Sequence, residues 1–386
     1  VKILLYRWNV YNQMDIKHAM EELGHIVQLF EESHKDKADE QACVLTEAVS
    51  EADVVFSVNF FPRVSDVCAR VGRKYISWTV DSPLIAMYHE AVFHECNYIF
   101  LFDKFSYVQF RQMGVKHVYY LALAVDTNRL DCLVAQAPQS KKELFTSDIS
   151  FVGGLYHKNS YDKIYERLPE YLKGYFDAAM QAQLDWFGEN IFDRMLTVDI
   201  LEQLAQIVDF KQDERSFSDL KLVFTSTFLG YKMAHFERIT CLNELAKRFQ
   251  TDLYTDEPDD ELQRVNIRGS VQYDTDMPLV FNGSKINMNF TIRNIRTGIP
   301  LRVWDILGAG GFLLTNFQAE LPMYFENEKH IVYYESVSDM LRKAEYYLSH
   351  EDERCCIAEA GHRLVKEHHS YKQRLQEIFH IVENDA

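Results

Sequence analysis

The sequence is poor in organised cysteine. Its seven cysteines are odd in number and scattered, and none stands at metal-ligand or redox spacing. The adjacent Cys355 and Cys356 lie in a helical context that points them to different faces, so a reducing cytoplasm is the expected setting. There is no apolar run of membrane-spanning length and no signal-peptide pattern; the opening VKILLY is too short for either and reads as a first strand. Positive charge is also in deficit. Lys and Arg number 41 against 58 Asp and Glu, a formal net charge of −17. That balance argues against a nucleic-acid backbone as main partner, and no basic patch suggests attachment to an anionic membrane. Glycine is missing where a dinucleotide-binding fold needs it. After the first strand the chain reads RWNVYNQ, so phosphate binding by the first turn is not expected.

What is present is apolar and aromatic: 47% hydrophobic and 13% aromatic residues in a chain of 386, enough for two domains with separate cores. The first part repeats a strand-then-helix rhythm, the signature of a parallel sheet wrapped by helices. KILLY is a strand, Gln13 to Leu23 a helix, His25 to Phe30 a second strand, and Cys43 to Ser50 helical. Strands follow in ADVVFSV, KYISWTV, YIFLF and HVYYL. The polar stretch Ala135 to Ser147 reads as a linker, placing the domains at 1–145 and 146–370, with a last helix over 371–386. The second domain opens on the strand DISFVGG. Residues 160–213 read as an inserted helical subdomain, for acceptor recognition, self-association or plain packing. KLVFT is expected to be a strand, followed by a helix over Met233 to Phe249 and the strands DLYT and KINMNF.

The stretch Gly298 to Asn316, GIPLRVWDILGAGGFLLTN, is where the active site is expected. Pro300 suits a first helical position, Leu301, Trp304 and Leu307 recur at helical spacing, and Phe312 to Leu314 suit a buried strand. Gly308, Gly310 and Gly311 would let the backbone turn and approach a ligand. Asp305 is an acid on a helix that must pack inward. The wider stretch SKINMNFTIRNIRTGIPLRVWDILGAGGFLLTNFQAELPMYFE, with YISWTVDSPL and SFVGGLY, resembles the GT-B glycosyltransferases. In wording it is closest to the spore-maturation CgeB-type group, and more distantly to glycosyltransferase family 4.

The resemblance implies an α/β fold of two Rossmann-like domains facing a cleft, with the helical insertion in the second. It implies a nucleoside diphosphate-sugar substrate and no further cofactor. In family 4 two glutamates eight residues apart bracket this turn. The second, which holds the ribose, aligns with Asp305; the first, which faces the donor sugar, falls on Thr297. The family's diphosphate arginine falls on Gly154, beside Gly153, and its lysine near Lys158. GT-B proteins also commonly end in a helix that returns to the first domain, the role implied for the last segment.

The residues add a candidate anion site of their own. Arg293, Arg296 and Arg302 cluster beside the glycines, and guanidinium groups match phosphate oxygens in pairs. Arg302 is the expected bystander, because its helix neighbour Asp305 can pair with it. Arg238, on the long helix, is expected at the surface or in a salt bridge. Asp274-Thr-Asp276 matches the metal-diphosphate signature of the other large glycosyltransferase fold, but it precedes a helix whose amides the aspartates can cap, and a three-residue match is weak. No metal site is therefore expected. Asn9, Tyr11, Asn12 and Trp78 are candidate acceptor contacts. Asp81, at the carboxyl end of KYISWTV, is the candidate base, with Ser82 and Pro83 expected to start the next helix. The expected activity is metal-independent transfer of a sugar from a nucleoside diphosphate to an acceptor hydroxyl or similar nucleophile, in the cytoplasm. The acceptor class (protein, glycan or small molecule) stays open. A sugar-nucleotide epimerase and a non-catalytic nucleotide-sugar-binding module are the alternatives.

Overall fold

The computed structural model describes residues 1–8, 10–31 and 38–384. The chain divides into two compact units, Val1–Ala124 with Gln212–Ser218 and His369–Ala386, and Val125–Lys211 with Asp219–His368.

The first unit is built on a parallel sheet of β1 (Lys2–Arg7), β2 (Ile26–Glu31), β3 (Val54–Val58), β4 (Lys74–Trp78), β5 (Asn97–Leu101) and β6 (Val118–Tyr120), in the order β2-β1-β3-β4-β5-β6. The central strands VVFSV and NYIFL are buried at every position, as strands covered on both faces must be. The last helix, Tyr371–Asn384, belongs to this unit. Tyr371 meets Trp78 edge-on at 6.0 Å, and Lys74 Nζ donates to the Val382 carbonyl at 2.6 Å.

The second unit carries β7 (Ser147–Val152), β8 (Thr251–Tyr254), β9 (Asn266–Ile267), β10 (Ser284–Asn289), β11 (Leu313–Asn316) and β12 (Val332–Tyr334). These are all parallel, in the order β12-β11-β10-β7-β8-β9, so strand order reverses between β7 and β10. The helical insertion has its own core, in which Tyr161, Leu172, Phe176, Phe192, Leu204 and Phe224 pack together.

Two expectations change. The division falls after Ala124 rather than near 145, because the helix Thr127–Gln136 packs on the helices Met277–Gly283, Leu301–Gly308 and Glu351–His368 of the second unit. KLVFT is not a strand. Leu220–Val223 is α-helical, Phe224–Gly230 is π-helical, and both run into the helix Tyr231–Ala246. The Asp219 carboxylate accepts from the Leu222 amide and starts that helix, overriding the strand preference of the Val-Phe-Thr run. Tyr333 and Tyr334 lie in the edge strand β12. No helix among the described residues is long and apolar enough to cross a membrane.

Candidate active site

In an open parallel sheet, ligands bind beyond the carboxyl ends of the strands where strand order reverses. In the second unit that point lies between β7 and β10, and Arg238 occupies it. Its guanidinium donates to the Gly154 carbonyl, just past β7, and to the Phe290 carbonyl at 3.0 Å, just past β10. It stacks over Tyr156 at 4.8 Å and Phe151 at 5.1 Å. Arg238 is thus neither the surface residue nor the salt-bridged one expected from sequence; it is 8% exposed and has no ion pair among the described residues. It stands in space beside Gly154, where the resemblance located an arginine in sequence. Burial lowers its pKa, and the nearby Arg302 charge lowers it further, against the opposing pull of Tyr156 and Glu237. Tyr156 itself holds a left-handed backbone, φ 58°, a local strain of the kind found at ligand sites.

The segment after β10 is held by side-chain amides rather than by regular structure. Asn316 accepts from the Thr291 amide at 2.8 Å and donates to its carbonyl at 3.1 Å. Asn190 donates to the Arg293 carbonyl, Asn294 to the Ser226 carbonyl, and Gln318 to the Ile295 carbonyl. Gly230 permits this approach. A Cβ there would lie 1.8 Å from Asn294 Oδ1, so the π-helical turn needs a residue without a side chain.

The proposed arginine cradle separates. Arg293 is buried and forms an ion pair with buried Glu237 at 3.0 Å, its guanidinium 4.3 Å from the Phe187 ring centroid. Burial pushes the Glu237 carboxyl up, and Arg293 and Arg238 pull it back. Arg296 pairs with Asp193 and exposed Lys158 with Glu257 at 2.6 Å, so each already has a carboxylate. Arg302, the expected bystander, does not pair with Asp305. It lies over the Phe281 ring, donates to the Met277 sulfur, and has no ion pair among the described residues. Asp305 is buried and accepts from Tyr273 at 3.1 Å. Thr297 donates to buried Glu320 at 2.7 Å, so a carboxylate from beyond β11 stands beside the position where family 4 carries its first glutamate.

The glycine turn is a correction. It joins the carboxyl end of the helix Leu301–Gly308 to the amino end of β11, the edge opposite the expected ligand site. A Cβ at Gly311 would lie 2.7 Å from the Phe281 carbonyl, so packing demands that glycine, and Gly310 turns the chain at φ 76°. Gly310 does line a cavity of about 330 Å³, but with Asp131 and Glu359, acids unsuited to a phosphate. On the opposite edge, Gly153 and Gly154 do follow the carboxyl end of β7, and a Cβ at Gly154 would meet nothing within 4 Å. Asp276 starts the helix Met277–Gly283 without a side-chain capping bond; it pairs with Lys141 at 2.8 Å, and Asp274 lies 3.9 Å from Arg129.

In the first unit, Asp81 follows the carboxyl end of β4 and receives a 2.6 Å hydrogen bond from Asn59 Nδ2. The residue is exposed at its surface, yet crowding around the carboxyl raises its pKa, with the Asn59 bond acting in the opposite direction. Asn59 also accepts from the Val80 amide at 2.8 Å, from a left-handed backbone at φ 66°. It was not foreseen; a polar residue ending an apolar strand was the available signal. The helix expected at Pro83 is absent. Two 3-10 turns, Ile85–Met87 and Glu90–Phe93, follow in its place, and Ser82 donates to Asp103 at 2.7 Å instead of capping. Trp78 is 1% exposed, with its indole NH 3.4 Å from the Leu121 carbonyl, so it is core rather than an acceptor contact. Tyr11 is exposed; Asn12 is fully buried, and neither end of its amide has a partner among the described residues. Asn9 lies outside the described residues.

Against known proteins, residues 238–380 match the family described as "Glycosyl transferase-like". The fold matches Anabaena HepE in complex with UDP and glucose at TM-score 0.56 and 10% identity, over 99% of each chain. It matches a glycosyltransferase from Rickettsia africae at TM-score 0.57 and 10% identity, over 99% of this chain and 98% of the other. Sucrose-phosphate synthase from Thermosynechococcus elongatus follows at TM-score 0.54 and 8% identity, over the whole of both chains. The fold is that of the GT-B glycosyltransferases. The family segment points the same way, to an enzyme of the glycosyltransferase class. Within this GT-B fold the matched segment starts at Arg238 and includes Arg302, Asp305 and Glu320. A search of curated proteins gave no significant match.

Proposed function

We propose that the chain transfers a sugar from a nucleoside diphosphate donor to an acceptor nucleophile in the cytoplasm, with no metal ion in the transfer step. One observation carries this reading. The Arg302 charge acts on Arg238, which sits where β7 and β10 diverge, and neither arginine has an ion pair among the described residues. In a protein of net charge −17, two guanidinium groups that form no ion pair of their own make a seat for an anion. A departing diphosphate is such an anion, and fixed cations there would stabilise the charge it gains.

In this reading Asp305 accepts from the ribose hydroxyls, as the resemblance to family 4 implies. UDP, bound by the HepE neighbour, is the first nucleotide to test. For an inverting reaction Asp81 takes the acceptor hydroxyl proton as the new bond to the anomeric carbon forms. The bond to the diphosphate breaks and its electron pair leaves with the nucleotide. For a retaining, front-face reaction Asp81 positions acceptor hydroxyls instead. The test is a calorimetric titration of UDP, GDP, ADP and the matching nucleosides. Arg302→Ala should weaken the preferred diphosphate at least about tenfold, the loss of one charged hydrogen bond, and leave its nucleoside unchanged. Equal diphosphate affinity in the variant refutes the seat.

A further inference from the structure

The loop after β8 reads TDEPDDEL over residues 255–262, with five acids between 256 and 261. It is fastened to the helix Tyr231–Ala246 by Asn243, whose Nδ2 donates to the Glu261 carbonyl at 2.9 Å and whose Oδ1 accepts from the Gln263 amide at 2.6 Å. Beneath it lies His235, only 4% exposed. Its Nδ1 is 3.0 Å from the Leu155 carbonyl. A carbonyl can only accept, so Nδ1 carries the hydrogen, and in the neutral ring Nε2 is left as an acceptor.

That nitrogen faces two more acceptors, Glu261 Oε1 at 3.5 Å and Asp259 Oδ2 at 3.8 Å, and the three atoms all lie within 4.8 Å of one another. Three acceptors aimed at one point repel unless a cation stands among them. The cation is either a second ring proton or a metal ion. A ring Nδ1–H given to a backbone carbonyl is how metal-binding histidines are oriented. The Asp259 side chain is 11% exposed and that of Glu261 68%, so the site is walled on one side and open to water on the other.

We propose that His235, Asp259 and Glu261 bind a divalent transition-metal ion of the zinc class. The imidazole donor disfavours Mg²⁺ and Ca²⁺, which take oxygen ligands. Three protein ligands leave a fourth tetrahedral position for water. The exposed Glu261 side chain closes the remaining distance by rotation. Bound there, the ion offsets two carboxylate charges and locks the acidic loop against its helix. Glu257, in the same loop, holds Lys158 at 2.6 Å, so the ion also fixes the surroundings of the β7 loop. The site is structural and takes no part in sugar transfer, so it stands or falls independently of the diphosphate seat.

The full-length protein, stripped with EDTA and desalted, is titrated with ZnCl₂ by calorimetry and thermal shift, with MgCl₂ and CaCl₂ as parallel arms. The chain's 14 histidines and seven cysteines can take up zinc elsewhere, so the comparison is between variants. Wild type should show one saturable site that raises the melting temperature, with no such effect from Mg²⁺ or Ca²⁺. Asp259→Asn and Glu261→Gln, both outside the core, should each weaken that site at least about tenfold, a loss that even outer partners of metal ligands produce. His235→Gln should remove it. Zinc binding unchanged in both carboxylate variants, or no saturable site in wild type, overturns the proposal and leaves an imidazolium paired with carboxylates.

Discussion

Arg293→Ala separates a phosphate ligand from a buried counter-ion. The Arg293 and Glu237 side chains are 4% and 1% exposed, with Nη2 and Oε1 3.0 Å apart. Truncating the arginine leaves a carboxylate in the interior with the Arg238 charge still acting on it. Breaking a buried pair on one side costs about 3–5 kcal/mol, and loss of the guanidinium packed over Phe187 adds to it. At roughly 2–4 °C per kcal/mol for a sizeable domain, the second unit should melt about 10 °C lower. The variant should also respond to pH. Burial already raises the Glu237 pKa, and removing Arg293 removes one of the charges opposing that rise. A carboxyl whose folded pKa lies above its unfolded value costs the folded state stability above that folded pKa. The stability returns as pH falls through it toward the unfolded value. Acidification from neutral should therefore narrow the gap to wild type, and Glu237→Gln in the same protein should narrow it at neutral pH. Thermal shift across pH 5 to 8, with a double-mutant cycle, reads both. A variant that melts within about 2 °C of wild type but loses nucleoside diphosphate binding would refute this reasoning and return Arg293 to the cradle expected from sequence.

Gly230→Ala places a methyl group against Asn294, whose amide donates to the Ser226 carbonyl at 3.0 Å. Overpacking and the displaced hydrogen bond, each about 1–3 kcal/mol, outweigh a helix gain of about 1 kcal/mol, so a lower melting temperature is expected; an unchanged one rejects the steric account. Asp305→Asn should weaken nucleotide binding at least about tenfold with little change in melting temperature, measured by calorimetry and thermal shift. Unchanged affinity would make Asp305 structural. Asp81→Asn should abolish an inverting transfer while donor binding and stability persist; near-normal turnover of an inverting reaction would exclude Asp81 as the base.

The strands were legible because buried parallel strands need continuous apolar runs bounded by turns, and VVFSV and NYIFL can hardly be read otherwise. KLVFT misled for the same reason: composition alone does not separate a buried strand from a helical turn whose start is set by Asp219. The glycine turn was legible as a turn but not as to its edge. Chain direction decides that: a helix-to-strand turn in a parallel sheet lies at the amino ends of the strands. Arg238 was hidden because sequence shows neighbours along the chain, whereas its partners, Gly154 and Phe290, come from two other strand ends. The charges at Arg293 and Arg296 were visible. Their partners, Glu237 and Asp193, were not, and those partners decide which arginine is left for an anion.

The chain passes between the two units more than once. Residues 212–218 interrupt the second unit to join the first, where Arg215 grips Asp66 with both terminal nitrogens, at 2.7 and 2.8 Å, and Phe217 bonds to the Tyr88 carbonyl at 2.9 Å. The final segment does the same, with Arg374 donating to the Ala122 carbonyl at 3.1 Å. On a ribosome, the first sheet would therefore be made before the second unit and completed after it. Its strands emerge ahead of the second unit, but residues 369–384, which join it, arrive only after that unit has been made. Emergence of residues 369–384, rather than of the first sheet, is the moment at which that unit can close.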